Sequence, residues 1–588
     1  MITQMKKYTF LVFHRDYEPF LEQLRELGVV HITQKAAGLI EDDDALQAAL
    51  QHEDELRKLL RQGAPDQLLS EQANIRQSIA EAQAEAQQAA VWGQFDPAKI
   101  AELGEAGYTL RFFACPKAAF QEEWGIKVNE KDGKTFFVNV NNENNVNNEN
   151  YAELSDYATP LPAPEKSEAQ WLQEVEHLKG LLAAAEARIQ AWQKANLKDI
   201  EKQLAEARQV IDWQRVTLST DKLAEGALCL FEGFCPIDRE PELNAMLSEA
   251  QVYYEETDPE KEDATPIKLR NNKFTQLFEC LTGMYGWPNY NEFDPTPILG
   301  PFFLLFFAIC MGDCGYGFLL MLLGWLLAKG KLKIEMFDGL GPIIFVLGVG
   351  TAVVGFFLGT FFGIDLYNAA WVPDGLKGVM IKGKVMGYDI QMVMAICIGI
   401  FHICLAMTIK ALSYTRRDGF RATVSTWGWL LLIVGTIATL ILAMTFSLPA
   451  QVTKWTLIAI GAVSALGIFI FNTPGRNPLI NIGAGLWDTY NMATGILGDT
   501  LSYIRLYALG LAGGMLGGAF NNLAGMVLGD NPTWQWLPFL LIIVVGHLLN
   551  LAMSALGAFV HPLRLSFVEY FKNSGYEGSG KLYKPFKK

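Results

Sequence analysis

The chain has 588 residues, 51% of them hydrophobic, and a positive mean hydropathy of +0.16, yet it carries 48 basic and 63 acidic side chains. That mixture excludes both an ordinary soluble enzyme and a bare membrane bundle, and it implies two solvents for one chain. Split after Pro297, the first part holds 29 Lys/Arg against 51 Asp/Glu and the second 19 against 12. An acidic half able to fold in water (1–297) therefore precedes a half made of long apolar runs (298–588). The eight cysteines (Cys115, Cys229, Cys235, Cys280, Cys310, Cys314, Cys397, Cys404) form no CxxC and no closely spaced Cys/His set, so neither structural disulfides nor zinc is expected. The N-terminus has too short an apolar stretch before His14 and Arg15 for a cleavable signal peptide, so the first half is expected to stay in the cytoplasm.

In chain order, residues 1–40 open a small α/β lobe. A long helix is predicted over roughly 41–92, rich in Ala, Gln, Glu and Leu, with an interruption at Gly63 and Pro65. A second covers roughly 167–215, with Leu172, Val175, Leu178, Leu182, Ala185, Ile189 and Trp192 at coiled-coil spacing. One helix pair of that length, near 70 Å at about 1.5 Å per residue, buries no globular core. An antiparallel coiled coil of 41–95 with 165–217 closes the geometry. It leaves a far lobe at 96–164 and a near lobe that joins 1–40 to 218–270. Within the far lobe NVNNEN occurs twice, at 139–144 and 145–150, and reads as a surface loop. The fold class is thus mainly α: a cytoplasmic dumbbell of two small α/β lobes on a coiled coil, then a polytopic helical membrane domain.

Apolar runs follow near 298–328, 341–363, 390–412, 425–447, 453–472, 483–528 and 535–571. Loop charge decides their threading. Taking 298–328 as a single crossing places Lys410, Arg416, Arg417 and Arg421 outside, against the positive-inside tendency. A reversal at Gly312-Asp313-Cys314-Gly315-Tyr316-Gly317 instead puts Lys329, Lys331, Lys333, Arg416, Arg417, Arg421, Arg476 and the basic tail inside. Eight helices result, with both termini cytoplasmic. The first two, at about 13 or 14 residues, are short for a bilayer.

Arg505 lies deep in the apolar segment GDTLSYIRLYALGLAGGMLGG, where a guanidinium costs between about 2.5 and 17 kcal/mol depending on hydration. Leu501, Ser502, Ala508 and Leu509 sit three and four residues away, so its own helical face offers no carboxylate. Asp499, six residues back, is turned about 240° around the helix. A partner acid must come from another helix or another chain. Gly510, Gly513, Gly514, Gly517 and Gly518 permit close approach, either by a passing helix of another subunit or by this chain's own bundle. On the last helix His547, Asn550, Ser554, Gly557, His561 and Arg564 recur every three or four residues and share one face about 26 Å long. Such a stripe either lines a hydrated path or bonds adjacent helices. Pro562 interrupts backbone bonding where the stripe is most charged.

The tail GYEGSGKL (575–582) nearly spells a phosphate-binding loop but has Leu582 where a hydroxyl must meet magnesium, and no βαβ context surrounds it. No nucleotide site, catalytic constellation or cofactor is indicated. The candidate ion-translocating residues are Arg505, Arg564, His561, Ser554, Asn550, His547, Ser502, Asp499 and Glu569.

At these residues the chain resembles the membrane stator subunit of V/A-type ATPases, called subunit a or subunit I. The resemblance rests on Tyr285-Gly286 with Pro288, Asp294-Pro295-Thr296-Pro297, MGDCGYG (311–317), GTFFG (359–363), SYIRL (502–506), and HPLRL (561–565) with Glu569. FEGFCPID (231–238) and LRELGVVHI (24–32) add a weaker match. It implies that Arg505 faces carboxylates of a rotating proteolipid (c/K) ring between two offset half-channels for protons or sodium ions, with Arg564 as a supporting cation. It also implies that the soluble part contacts E/G-type peripheral stalks, and that the central stalk and a catalytic A/B head do the ATP chemistry. No nucleic acid partner is implied, and the setting is a lipid bilayer, the cytoplasmic membrane of a prokaryote. The sequence departs from some relatives at Ser554 and Asn491, where they carry acids, and at Thr360. The rival class is a self-contained secondary transporter or channel with a cytoplasmic coil, but no internal repeat supports it.

Overall fold

A computed structural model describes residues 2–587 apart from 34–42, 94, 132, 143–157, 251, 261–262, 332–338, 371, 386, 448, 471–477 and 529–533. By contacts the chain divides into two compact units, residues 34–220, and 1–33 with 221–588.

In the 34–220 unit, helices Asp44–Gln62 and Asp66–Ala89 are separated at Gly63 to Pro65, the predicted interruption. Gly63 adopts a left-handed φ of 73° and closes the first helix through its N–H to the Leu59 carbonyl. Both helices pack antiparallel on the Glu168–Ser219 helix, as Leu46 meets Ile211, Leu56 meets Ile200 and Leu204, and Arg76 pairs with Glu186 at 3.0 Å. The long helix starts at a capping box of Ser167 and Gln170, so its first turn satisfies its own N–H groups. Of the predicted seam, Val175, Ala185 and Ile189 are buried, whereas Leu172 is 52% exposed. Leu172 lies in the first turn and a half of the helix. Glu53, nearly buried on this seam, bonds Arg57 at 2.7 Å and Arg208 at 3.0 Å. The far lobe is a four-stranded antiparallel sheet in the order Ile126–Lys131, Lys134–Asn142, Tyr108–Pro116, Thr159–Leu161. Asn139 to Asn142 are the end of its second strand, not the start of a loop, because their backbone pairs with Tyr108 to Arg111. Residues 143–150 of the repeated hexapeptide lie outside the described residues.

In the other unit, strand Met5–Phe13 is central, flanked by Leu228–Pro236 and Tyr253–Thr257, with His31–Ile32 and Asp221–Leu223 on the strand Leu228–Pro236. Helices His14–Leu27 and Glu240–Ala250 bury Phe20, Leu24, Leu243 and Leu247 in the lobe. The tail returns to this lobe: the N–H groups of Gly580, Tyr583 and Phe586 donate to the carbonyls of Trp287, Ile267 and Val30, each at 2.8 Å. The tail glycines, spelled almost as a phosphate loop, serve this docking instead. A Cβ on Gly580 would lie 1.9 Å from the Pro288 carbonyl oxygen.

Among the described residues six helices are long and apolar enough to cross a membrane, and Thr296–Met311 and Cys314–Ala328 are shorter apolar helices. The short pair has 16 and 15 residues, slightly longer than the sequence reading and still about 24 and 22 Å against a hydrocarbon core near 30 Å. On the Gly341–Leu358 helix, Gly350 faces Leu304 while Gly348 faces Met321. Residues eight before and nine after Gly312 thus lie at one level, and the chain reverses at Gly312–Asp313 as predicted. Gly317 and Gly324 on one helix, and Gly341, Gly348 and Gly355 on its antiparallel neighbour, recur every seven residues. A Cβ at any of them would come within 2.3 to 2.5 Å of the opposing backbone, so the two helices touch main chain to main chain.

Candidate ion-translocating site

The site is assembled where the reversal, a short hairpin, the arginine helix and the last helix meet. Asp313, 1% exposed, is its keystone. Its Oδ1 accepts from the N–H groups of Gly315 (2.8 Å), Tyr316 (3.2 Å) and Phe362 (2.8 Å), and its Oδ2 from Gly363 (2.7 Å). One carboxylate therefore caps the Cys314–Ala328 helix and fastens the hairpin of Thr360–Phe361 with Ile364–Asp365 to it. The Thr360 hydroxyl adds a bond to the Gly312 carbonyl. The motifs MGDCGYG and GTFFG, 42 residues apart at their facing ends, are two sides of one joint.

Gly363, at φ 72°, presses on the arginine helix Ile504–Leu528, where a Cβ would fall 2.4 Å from the Gly517 carbonyl carbon. Gly510 meets the Ile309 carbonyl and Gly513 the Ser554 hydroxyl. The glycines after Arg505 are thus used by this chain's own bundle. The tight packing follows from their missing side chains.

Along the last helix, Trp536–Arg564, the polar stripe divides. Asn550, fully buried, donates through Nδ2 to the Tyr316 hydroxyl (2.8 Å) and the Gly513 carbonyl (2.9 Å). With Asn521 Oδ1 facing its Nε2, the neutral His547 ring accepts the one proton of the Tyr316 hydroxyl at Nδ1, at 2.7 Å. The His547 proton is then on Nε2, donated to Asn521 Oδ1 at 3.0 Å, and Asn521 Nδ2 donates to the Phe362 carbonyl at 2.7 Å. Ser554 donates to Asn550 Oδ1 at 3.2 Å. His547, Asn550 and Ser554 therefore brace three helices and the hairpin with a directed set of hydrogen bonds.

The other end of the stripe is unlike this. Arg505 is half-buried, its Nη1 is shut from solvent without a hydrogen-bond partner, and among the described residues no carboxylate pairs with it. His561 Nδ1 is likewise buried and unpartnered, within the electrostatic reach of both Arg505 and Arg564. Arg564 itself is exposed. Past Pro562 the helix does not stop; it widens into a π-helix, Leu565–Tyr570, in which Glu569 is 2% exposed and Oε2 has no partner. Ser502 donates to the Gly498 carbonyl at 3.1 Å. Asp499 accepts from Asn573 Nδ2 at 2.8 Å and lies 3.6 Å from Lys572. The nine predicted residues thus fall into two groups, His547, Asn550 and Ser554 in the brace, and Arg505, His561, Arg564, Glu569, Ser502 and Asp499 towards the tail.

On the hairpin side of Arg505 a cavity of ≈ 490 Å³ is lined by Thr360, Asp389, Gln391, Tyr507, Gly514 and Asn522 among others. Tyr507 donates to Asp389 at 3.1 Å, and Asp365 pairs with Lys382 at its rim. Sequence reading did not single out Asp313, Tyr316, Asn521, His402, Tyr507 or Asp389 as site residues. A carboxylate or imidazole inside an apolar run was the available signal for Asp313 and His402.

A profile of the V-type ATPase 116kDa subunit family matches residues 20–368, more than half of the chain. A protein of Methanocaldococcus jannaschii described as A-type ATP synthase subunit I is 32% identical over 361 residues, 57% of this chain and 51% of that protein. One of Pyrococcus abyssi with the same description is 33% identical over 344 residues, 57% of this chain and 50% of its own length. The chain thus spans about half the length of these archaeal relatives. Against a Borreliella burgdorferi protein described as V-type ATP synthase subunit I, it aligns over the whole of both chains at 26% identity. With a family match over the soluble part and the first membrane helices, and a full-length relative carrying the alignment through the rest, the chain belongs to the V-type ATPase 116kDa subunit family.

Proposed function

We propose that this chain is the ion-translocating stator subunit of a rotary V/A-type ATPase, passing protons or sodium ions between two half-channels while a proteolipid ring turns past Arg505. The observation that carries this reading is the guanidinium of Arg505, half-buried in an apolar helix with Nη1 shut from solvent and unpartnered and no carboxylate among the described residues paired with it. A permanent cation so placed is complementary to a carboxylate brought by another subunit. Arg⁺ favours the ionised form of that carboxylate, so an arriving site gives up its ion before passing. A reloaded, neutral site then turns into lipid.

One half-channel is the cavity beside Asp389 and Tyr507, and the other runs along Asp499, Ser502 and Glu569, with Tyr507 and Ser502 flanking Arg505 in the chain. His561 and Arg564 support the field around the ring carboxylate. In this reading His547, Asn550 and Ser554 hold the walls. Their amide links cannot relay protons, because an amide nitrogen does not take up a proton as it gives one. The 34–220 unit, with its antiparallel coil, is the anchor for E/G-type peripheral stalks; nucleotide chemistry belongs to the catalytic head. Both termini face the cytoplasm of a prokaryotic cell. The test is ATP-driven ion uptake into vesicles holding the whole complex, wild type against Arg505→Ala, with subunit composition checked on both. Lost uptake with intact assembly supports the reading; unchanged uptake refutes it.

A further inference from the structure

Arg505 is preceded by a discontinuity. The Pro478–Ser502 helix ends and the Ile504–Leu528 helix begins on either side of Tyr503. There the Tyr503 N–H bonds the Thr500 carbonyl (3.2 Å) and the Leu506 N–H bonds the Tyr503 carbonyl (3.1 Å), three residues back in each case instead of four. Where the α-helical ladder is interrupted, the ladder no longer dictates the rotational phase of the residues that follow. Something else must hold it.

Tyr503 is fully buried and leaves the break towards the Ile390–Asp418 helix. Its ring lies on Gly399, where a Cβ would come 2.4 Å from the ring carbon Cγ, and meets Phe306 edge to face at 5.7 Å. Its hydroxyl and His402 Nδ1 share a hydrogen bond of 2.9 Å. Gly399 and His402 are three residues apart and so present the slot and the bond on one helix face. His402, 1% exposed, is itself immobilised between Tyr570 (4.6 Å, interplanar 6°) and Phe302 (4.3 Å, 30°). Its rings come from three different helical segments. The peg is therefore gripped by the whole bundle.

We infer that Tyr503, seated on Gly399 and bonded to His402, is the positioning residue that sets the direction in which Arg505 projects. Arg505 follows two residues on, as the second residue of the helix whose entry Tyr503 fixes. Tyr503 touches no ion and no ring carboxylate; it acts through Arg505, and the inference rests on the reading of Arg505 as the gate. A group displaced by about an ångström from its working geometry can cost roughly 100-fold in rate. An unseated peg should therefore disconnect rotation from transport without dismantling the complex.

The experiment is ions taken up per ATP hydrolysed, measured on purified whole complexes in vesicles and normalised to assembled complex. A residue that only packs the bundle lowers the amount assembled and leaves this ratio alone. Expected are a ratio within about twofold of wild type for Tyr503→Phe, which keeps the ring in its slot, and at least a tenfold lower ratio for Tyr503→Leu. Gly399→Ala, which pushes the ring out by its new Cβ, should reproduce the Tyr503→Leu ratio and decides the matter where Tyr503→Leu does not assemble. A wild-type ratio in Tyr503→Leu or Gly399→Ala, alongside loss of uptake in Arg505→Ala, overturns the positioning role alone. A wild-type ratio in Arg505→Ala overturns the gate reading instead.

Discussion

Removing the Asp313 carboxylate should open the joint between the helical reversal and the 360–365 hairpin. The magnitude follows from its four acceptor contacts at 2.7 to 3.2 Å, all with backbone N–H groups. In Asp313→Ala the loss of the cap on the Cys314–Ala328 helix costs about 1 kcal/mol. Orphaning the Phe362 and Gly363 N–H groups inside the protein costs roughly 1 to 3 kcal/mol each. Together that is at most about 3 to 7 kcal/mol, because contacts sharing one carboxylate do not add fully. Asp313→Asn keeps one carbonyl oxygen for Gly315, Tyr316 and Phe362 but turns an N–H₂ towards the Gly363 N–H, so about 1 to 3 kcal/mol is expected. Cys314, buried beside the joint with a free thiol, is the reporter. In detergent-solubilised protein, Asp313→Ala should lower the thermal unfolding midpoint and speed maleimide labelling of Cys314 at least tenfold, with Asp313→Asn between it and wild type. An unchanged midpoint together with unchanged labelling in Asp313→Ala would refute the assignment of Asp313 as the clasp.

Gly348→Ala should destabilise the helix pair by about 1 to 3 kcal/mol, since its Cβ would sit 2.4 Å from the Met321 nitrogen, whereas Gly461→Ala, in open space, should be neutral in the same melting assay. Tyr316→Phe strands His547 Nδ1 and one of the two N–H bonds of Asn550 Nδ2, and should cost roughly 1 to 3 kcal/mol. Combined with His547→Phe it should cost less than the sum of the two, by an interaction energy of about 0.5 kcal/mol or more; strict additivity counts against the brace. Burial pushes the Glu53 carboxyl up, but the hydrogen bonds from Arg208 and Arg57 outweigh it and hold the group below the ordinary 4.5. A depressed folded value means its stabilisation is complete above about pH 4.5 and is lost as pH falls through the folded value. Glu53→Gln should therefore lower hydrogen-exchange protection of 44–62 in the full chain at pH 7, and the difference from wild type should shrink below pH 4.5. Arg505→Lys should abolish coupled transport while assembly survives, because a compact ammonium does not reproduce the planar, permanently charged fork.

The sequence by itself determined the two solvents, the coil with its interruption at Gly63–Pro65, the apolar helices and the reversal at Gly312, because hydropathy, helical period and glycine or proline chemistry are local properties. It also isolated Arg505, since a charge in hydrocarbon with no acid on its own helical face is visible from spacing alone. Only the tertiary structure decided what the polar residues do. Asp313 and Phe362 are 49 residues apart and Tyr316 and Asn550 are 234 apart, so no periodicity links them. The stripe on the last helix looked uniform in sequence because one face of a helix says nothing of its neighbours. Packing split it, closing His547, Asn550 and Ser554 into hydrogen bonds and leaving His561, like Arg505 on the preceding helix, with a buried, unanswered nitrogen. The glycines after Arg505 were open to either use until Gly363, Ile309 and Ser554 were seen to occupy their surface. Which groups meet is set by the path of the chain in space, and that path is a collective outcome of burial that no single segment encodes.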